Sequence, residues 1–162
     1  QPLTIAAGDD QVFIQESKTV SSGGYSYGFD QYYPFCYMQV ADISKQPQII
    51  EPGRFEITRV NQDETEFVQR YPVKVASSAA VTLGDGNVRM LADVGGDGGG
   101  VRLIVRTTVM ALTSEQQPTV KRLVCGGGFD LETFADLPTV DQVDAVLGSI
   151  ATLVRNVDKT KP

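Results

Sequence analysis

The residue types that most often carry chemistry in proteins are scarce in this chain. It has no histidine, and its two cysteines, Cys36 and Cys125, lie far apart in the sequence. Without histidine there is no Ser-His-Asp or Cys-His nucleophile arrangement, and the commonest metal ligand is missing. Two distant cysteines form no zinc pattern, and no glycine loop carries the lysine of a phosphate-binding motif. We therefore expect no enzyme and no cofactor or metal site.

The acidic residues offer two weaker possibilities. Residues 93–98 combine aspartate with glycine, but they lack the alternating oxygen ligands and the distal glutamate of an EF-hand. A plain loop is favoured there over a calcium site. The carboxylate pairs Asp9/Asp10 and Asp63/Glu64 could in principle serve a glycosidase, but such pairs in turns are usually solvated charge.

The two cysteines leave the redox state open. Two buried thiols are the favoured interpretation, and a single long-range disulfide between Cys36 and Cys125 is the main alternative. Two cysteines do not decide the compartment either, since disulfides persist mainly in oxidising environments.

Length and composition indicate one soluble-type domain. The chain has 162 residues, which is enough for a core without metals or multiple disulfides. No apolar stretch is long enough to span a bilayer, so no membrane partner is expected. The net charge of −6 disfavours binding to nucleic acid unless the cations are gathered on one surface.

Alternating apolar and polar residues predict strands along most of the chain. The predicted strands are residues 3–6, 11–15, 54–60, 65–76, 80–83, 87–92, 101–112 and 119–125. A polar turn is expected at residues 61–64, a hairpin turn at 84–86 and a flexible glycine loop at 95–100. In the clearest strand, residues 101–112, the odd-numbered side chains form the apolar face and Arg102, Ile104 and Arg106 face the other way.

An aromatic segment precedes these strands. Seven Tyr and Phe side chains fall between residues 25 and 37. We expect an edge strand or a packed loop here, with an aromatic ligand platform as the alternative.

The end of the chain changes to helical spacing. Thr139 and Gln142 match a capping box, and apolar residues then recur at helical intervals from Val140 to Val157. Such a stripe must cover a sheet, which we expect to be the apolar face of residues 101–112 or the sheet of a partner copy.

The cations suggest a binding surface. Arg70, Lys74, Arg102 and Arg106 lie opposite the apolar faces of their predicted strands. We expect one sheet face to be covered by the helix and the other to present these four residues to the phosphates of RNA. A solvated outer face with no partner is the alternative.

The order of elements resembles the coat proteins of the single-stranded RNA bacteriophages. The resemblance lies in the opening Pro2-Leu3-Thr4-Ile5 with its following Gly-Asp turn, the strand at residues 101–112 and the capped helix at 138–156. It implies an α+β fold: an N-terminal hairpin, an antiparallel meander sheet and a C-terminal amphipathic helix on a dimeric sheet. The chain departs from the pattern in its length, its acidity, its aromatic segment and a strand at residues 119–125.

The resemblance also implies a function. A coat protein dimerises, closes into an icosahedral shell in the host cytoplasm and encloses single-stranded RNA in the virion. The alternatives are a secreted or periplasmic binding domain that acts as a monomer with an oxidised Cys36–Cys125 bridge, a structural subunit of another phage or pilus assembly, and a carboxylate hydrolase.

Overall fold

The computed structural model describes residues 1–20, 22–23, 26–27, 30–69 and 101–154. In these residues the chain is mainly antiparallel β-sheet with one short helix towards the C-terminal end, which confirms the predicted α+β class. The elements are β1 (Leu3–Ile5), β2 (Gln11–Gln15), β3 (Lys18–Val20), β4 (Ser22–Gly23), β5 (Ser26–Tyr27), β6 (Phe35–Val40), β7 (Gln48–Ile50), β8 (Glu56–Gln69), β9 (Val101–Thr113), β10 (Val120–Gly126) and α1 (Val140–Leu147).

Six of the strands form one sheet in the order β3-β2-β6-β10-β9-β8. An N-terminal hairpin is present, but it is formed by β2 and β3 and not by the expected residues 3–6 and 11–15. The two residues between β2 and β3, Glu16 and Ser17, both have positive φ, as in two-residue hairpin turns. β1 pairs with β7 instead of β2. The predicted pairing of β10 back onto β9 is confirmed, and β6, from the aromatic segment, lies in the middle of the sheet and not at an edge.

The turn expected at residues 61–64 is wrong, because β8 runs through it as one strand of 14 residues. Asn61 is paired with Val109 and Glu64 with Arg106, in an unbroken register with β9. A long neighbouring strand pairs with the whole segment and supplies backbone hydrogen-bond partners to alternate residues of it. This outweighs the turn preference of the polar side chains, which project into solvent.

α1 begins as expected and ends early. Thr139 caps it, with the reciprocal bonds to Gln142 of a capping box. It ends at Gly148, whose φ of +46° breaks the helical path. Beyond it, Ile150 and Leu153 still pack against the core without helical structure.

The two faces of the six-stranded sheet carry different clusters. The larger cluster joins the buried residues of α1 to Met110 and Leu112 of β9 and to Cys36 and Met38 of β6. We call this side the helix face. The smaller cluster, Phe13, Phe35 and Val105, lies on the opposite side, which we call the helix-free face.

The expectation that the helix covers the odd-numbered side of residues 101–112 is therefore wrong. Met110 and Leu112, which share the even-numbered side with Arg102 and Arg106, belong to the cluster of α1. The odd-numbered Val105 belongs to the other cluster. Both sides of β9 carry buried apolar residues, so alternation alone could not show which side the helix would take.

α1 packs on β2 and β6 of its own chain. Its buried residues, Val143, Val146 and Leu147, are covered without a partner. Up to residue 147, the apolar side chains of the C-terminal stripe therefore give no reason to expect association with a second copy. The expected strands at 80–83 and 87–92, the hairpin turn at 84–86, the glycine loop at 95–100 and the calcium alternative at 93–98 lie outside the described residues.

Candidate assembly and nucleic-acid interface

β8 stands last in the strand order of the six-stranded sheet. It pairs with β9 along one side, and among the described residues no strand pairs with its other side. All residues from 56 to 66 are exposed, so neither face of this strand is covered. A long edge with free backbone donors and acceptors is a template for pairing with another strand.

The outer edge also exposes apolar side chains. Ile57 is 39% exposed and Val60 is 59% exposed. Both pair with residues of the helix face, Leu112 and Met110 respectively, and thus extend that apolar surface to the edge. The register is irregular between Ile57 and Arg59, which marks a bulge.

An open groove lies beside this edge on the helix face. It has a volume of about 1480 Å³. Apolar side chains of the sheet and of the segment after α1 form its walls, among them Met38, Phe55, Ile57, Leu112, Leu123 and Leu153. Within the part of the chain that the structure describes, the edge strand and an open apolar groove therefore meet at one end of β8.

The helix-free face presents a different chemistry. One row of side chains crosses five strands and is mostly polar: Gln11, Gln39, Arg122, Ala111 and Arg59. The next row is Phe13, Tyr37, Val124, Val109 and Asn61. Arg122 is exposed, and within the described residues it forms no salt bridge. An unpaired guanidinium beside a half-buried tyrosine is suited to phosphate and base contacts.

Tyr37 is the half-buried ring of this face. It packs against Phe13 with ring centroids 5.3 Å apart and the ring planes tilted by 51°. Burial raises the pKa of the Tyr37 phenol above its usual 10.0; Arg122 opposes the rise, while Asp10 and Asp63 add to it. The hydroxyl therefore stays protonated and able to donate a hydrogen bond well above neutral pH.

Arg102 and Arg106, two of the predicted RNA-binding residues, lie together on the helix face. Arg102 Nε is 2.9 Å from a Glu66 carboxylate oxygen. Arg106 Nε is 3.3 Å from Glu64, and its guanidinium also donates to the carbonyl of Ala135 at 2.6 Å. These contacts engage both guanidinium groups with acceptors of their own chain. The other two predicted residues, Arg70 and Lys74, lie outside the described residues.

Neither Arg122 nor the edge of β8 was singled out from the sequence. Arg122 falls in the predicted strand 119–125 directly after Lys121, and because adjacent residues of a strand point to opposite faces, this pair places one cation on each face of the sheet. The edge of β8 was hidden by the turn expected at residues 61–64. The length of β8 could have been inferred from β9, because a strand of 13 residues favours a partner strand of similar length.

Neither a metal cluster nor a membrane helix occurs in the described ranges. They contain no group of three or more His, Cys, Asp or Glu residues that could hold a metal ion. In the same residues, no helix has the length and apolar character needed to cross a bilayer.

Comparison of the chain with protein-family models, with curated protein sequences and with solved structures gave no match.

Proposed function

We propose that this chain is a self-assembling coat protein of the kind that the single-stranded RNA bacteriophages use. It dimerises through β8, closes into an icosahedral shell and encloses single-stranded RNA. The observation that carries the proposal is the outer edge of β8, which no other described strand covers and whose residues 56–66 are exposed beside an apolar groove. Pairing two such edges would satisfy their backbone groups and join two sheets into one.

A twofold axis perpendicular to the sheet makes two β8 strands antiparallel. It keeps both helix faces on one side and both helix-free faces on the other. Residues that face each other across the pair must point to the same side of the sheet. The axis therefore passes midway between the two copies of one central residue of β8. The side chains of β8 select among the possible registers.

Centring the pair on Asn61 places Arg59 of each copy opposite Asp63 of the other. This gives two cross-strand ion pairs of opposite charge. Centring it on Asp63 would oppose two like carboxylates, and centring it on Gln62 would pair Arg59 with Thr65. The Asn61-centred register also places Glu56 opposite Glu66, but Arg102 neutralises Glu66 and the irregularity between Ile57 and Arg59 displaces Glu56. The two Arg59–Asp63 pairs therefore make it the register that charge favours.

The RNA would lie on the helix-free face. On that face Arg122 and Asn61 are exposed and Tyr37 is half-buried, and the dimer would carry two copies of these three residues. A single unpaired arginine binds phosphate weakly, but a shell repeats it many times along one RNA chain, so the individual contacts add up. Arg102 and Arg106 contribute less in this arrangement, because carboxylates already neutralise them.

A charge-swap series tests the proposal. Arg59→Asp and Asp63→Arg should each reduce the dimer and particle fraction in size-exclusion chromatography with light scattering, and the double variant should recover it. Lys45→Asp, the same charge change at an exposed loop residue, is the control. Electron micrographs and the ultraviolet absorbance ratio report particles and their nucleic acid. A wild-type monomer of 17.5 kDa at micromolar concentration would overturn the proposal.

A secreted or periplasmic binding domain is the second candidate, and the disulfide favours it. Cys36 and Cys125 are bonded in the structure. Disulfides persist most readily in oxidising compartments. This candidate requires a monomer, so the same light-scattering measurement separates the two functions.

A further inference from the structure

The Cys36–Cys125 disulfide is sealed inside the protein. Both residues are 0% exposed, and they share the larger cluster with Val143, Val146 and Leu147 of α1. Reduction requires a thiolate to attack a sulfur atom along the S–S axis. No reductant can make that approach while the cluster is closed.

α1 is the element positioned to open it. The helix packs on β6, the strand of Cys36, and on β2. The ribbon of β1 and β7 covers the same face but packs mainly on β2. A helix of 8 residues is unstable by itself in water, so only its three buried side chains and its end contacts keep it in place.

The end contacts are two hydrogen bonds from Ser17: its amide donates to the Val146 carbonyl at 2.9 Å, and its hydroxyl donates to the Ala145 carbonyl at 3.5 Å. Undocking of α1 would break these two bonds and uncover three side chains, whereas the six-stranded sheet would remain paired. Local openings of this size cost less than global unfolding and therefore occur more often.

We propose that α1 is a lid that controls redox exchange at Cys36–Cys125 with small-molecule thiols. When α1 undocks, a thiolate of dithiothreitol attacks one sulfur, forms a mixed disulfide and releases the other cysteine as a thiolate, which takes up a proton. The second thiol of the reagent then displaces the remaining cysteine and closes the reagent into its cyclic disulfide. Two electrons pass to the protein, and both cysteines end as thiols.

This lid makes the oxidised state persistent. Once the bond has formed, its lifetime among small-molecule thiols is set by how often α1 opens and not by reductant contact with the closed fold. The inference concerns the folded chain alone and does not depend on assembly or on RNA.

The test measures the rate at which dithiothreitol reduces the folded, oxidised protein. Free thiols are alkylated at successive times, and mass spectrometry gives the fraction of alkylated protein. Val146→Ala weakens the lid and should raise the rate by roughly tenfold. Asp144→Asn, on the exposed side of α1, should leave it unchanged. Ile5→Ala removes apolar packing from the β1–β7 ribbon and should not accelerate reduction as Val146→Ala does.

Equal acceleration by Ile5→Ala and Val146→Ala would overturn the proposal, and so would no acceleration by either. The wild-type protein gives an independent reading if a variant fails to fold. Its reduction rate should depend only weakly on low urea concentrations, as local opening does. A dependence as steep as that of global unfolding would equally overturn the lid.

Discussion

Gly148, which ends α1, lies directly against Ser17 in the turn between β2 and β3. A Cβ placed on Gly148 would overlap the side chain of Ser17, and its φ of +46° is one that side chains rarely adopt. We expect Gly148→Ala to lower the free energy of unfolding by about 1–3 kcal/mol, because it combines backbone strain with displacement of the helix end. Urea denaturation followed by circular dichroism measures this loss.

The double variant Ser17→Gly with Gly148→Ala separates the two causes. Glycine at Ser17 removes the overlap and suits the positive φ of that turn residue, but the strain at residue 148 remains. The double variant should therefore recover part of the lost stability. No recovery at all would show that the contact between the two residues contributes nothing.

The disulfide should contribute heavily to stability. It joins residues 89 apart in the sequence, and closing so long a loop restricts the unfolded chain by about 4–5 kcal/mol in the chain-entropy description. Replacing both cysteines with alanine should lower the unfolding free energy by a comparable amount.

The matched measurement is wild-type protein reduced in denaturant and refolded with dithiothreitol. It should lose nearly the same stability, and the alanine variant should be indifferent to the reagent. If oxidised and reduced wild-type proteins unfold at the same urea concentration, the bond does not stabilise this fold.

Local signals predicted part of this fold. The capping box at Thr139 and the strand at residues 11–15 depend on neighbouring residues, and the structure has both as expected. The pairing of β10 with β9 also followed from their closeness in sequence. The pairing of β1 with β7 could not be predicted in this way, because its partners lie more than 40 residues apart and nothing local distinguishes them.

The candidate site was harder to predict than the fold. Residues 61–64 have turn composition, and only the presence of β9 alongside makes them a strand. The cations Arg102 and Arg106 were assigned to an open face by alternation, yet their neighbours Glu64 and Glu66 come from the strand that was cut short by the expected turn. Because a turn was wrongly expected at residues 61–64, the sequence revealed neither the outer edge of β8 nor the carboxylate partners of these arginines.

RNA binding should depend on Arg122 more than on the two paired arginines. Arg122→Ala should weaken binding of a single-stranded RNA in filter assays and lower the slope of log affinity against log salt by about one for each phosphate that is no longer neutralised. Arg102→Ala combined with Arg106→Ala should change the slope less, because those cations already have carboxylate partners.

Lys45→Ala controls for the loss of one exposed positive charge. It should leave both affinity and slope close to wild type. If the Arg102/Arg106 variant loses the salt dependence while Arg122→Ala retains it, RNA binds through Arg102 and Arg106, the residues predicted from the sequence, and not on the helix-free face.

Alkaline pH should destabilise the protein through Tyr37. Burial raises the pKa of this phenol above 10.0, so between that pH and the raised pKa the folded chain holds a proton that the unfolded chain releases. The unfolding free energy contributed by the neutral phenol is fully present below pH 10 and falls as the pH rises through the folded pKa. Wild type should therefore lose stability above about pH 10 more steeply than Tyr37→Phe, which has no proton to release there. Parallel stability curves for the two proteins between about pH 9 and 11, measured by urea denaturation, would show that the phenol ionises no less readily in the folded sheet than in the unfolded chain.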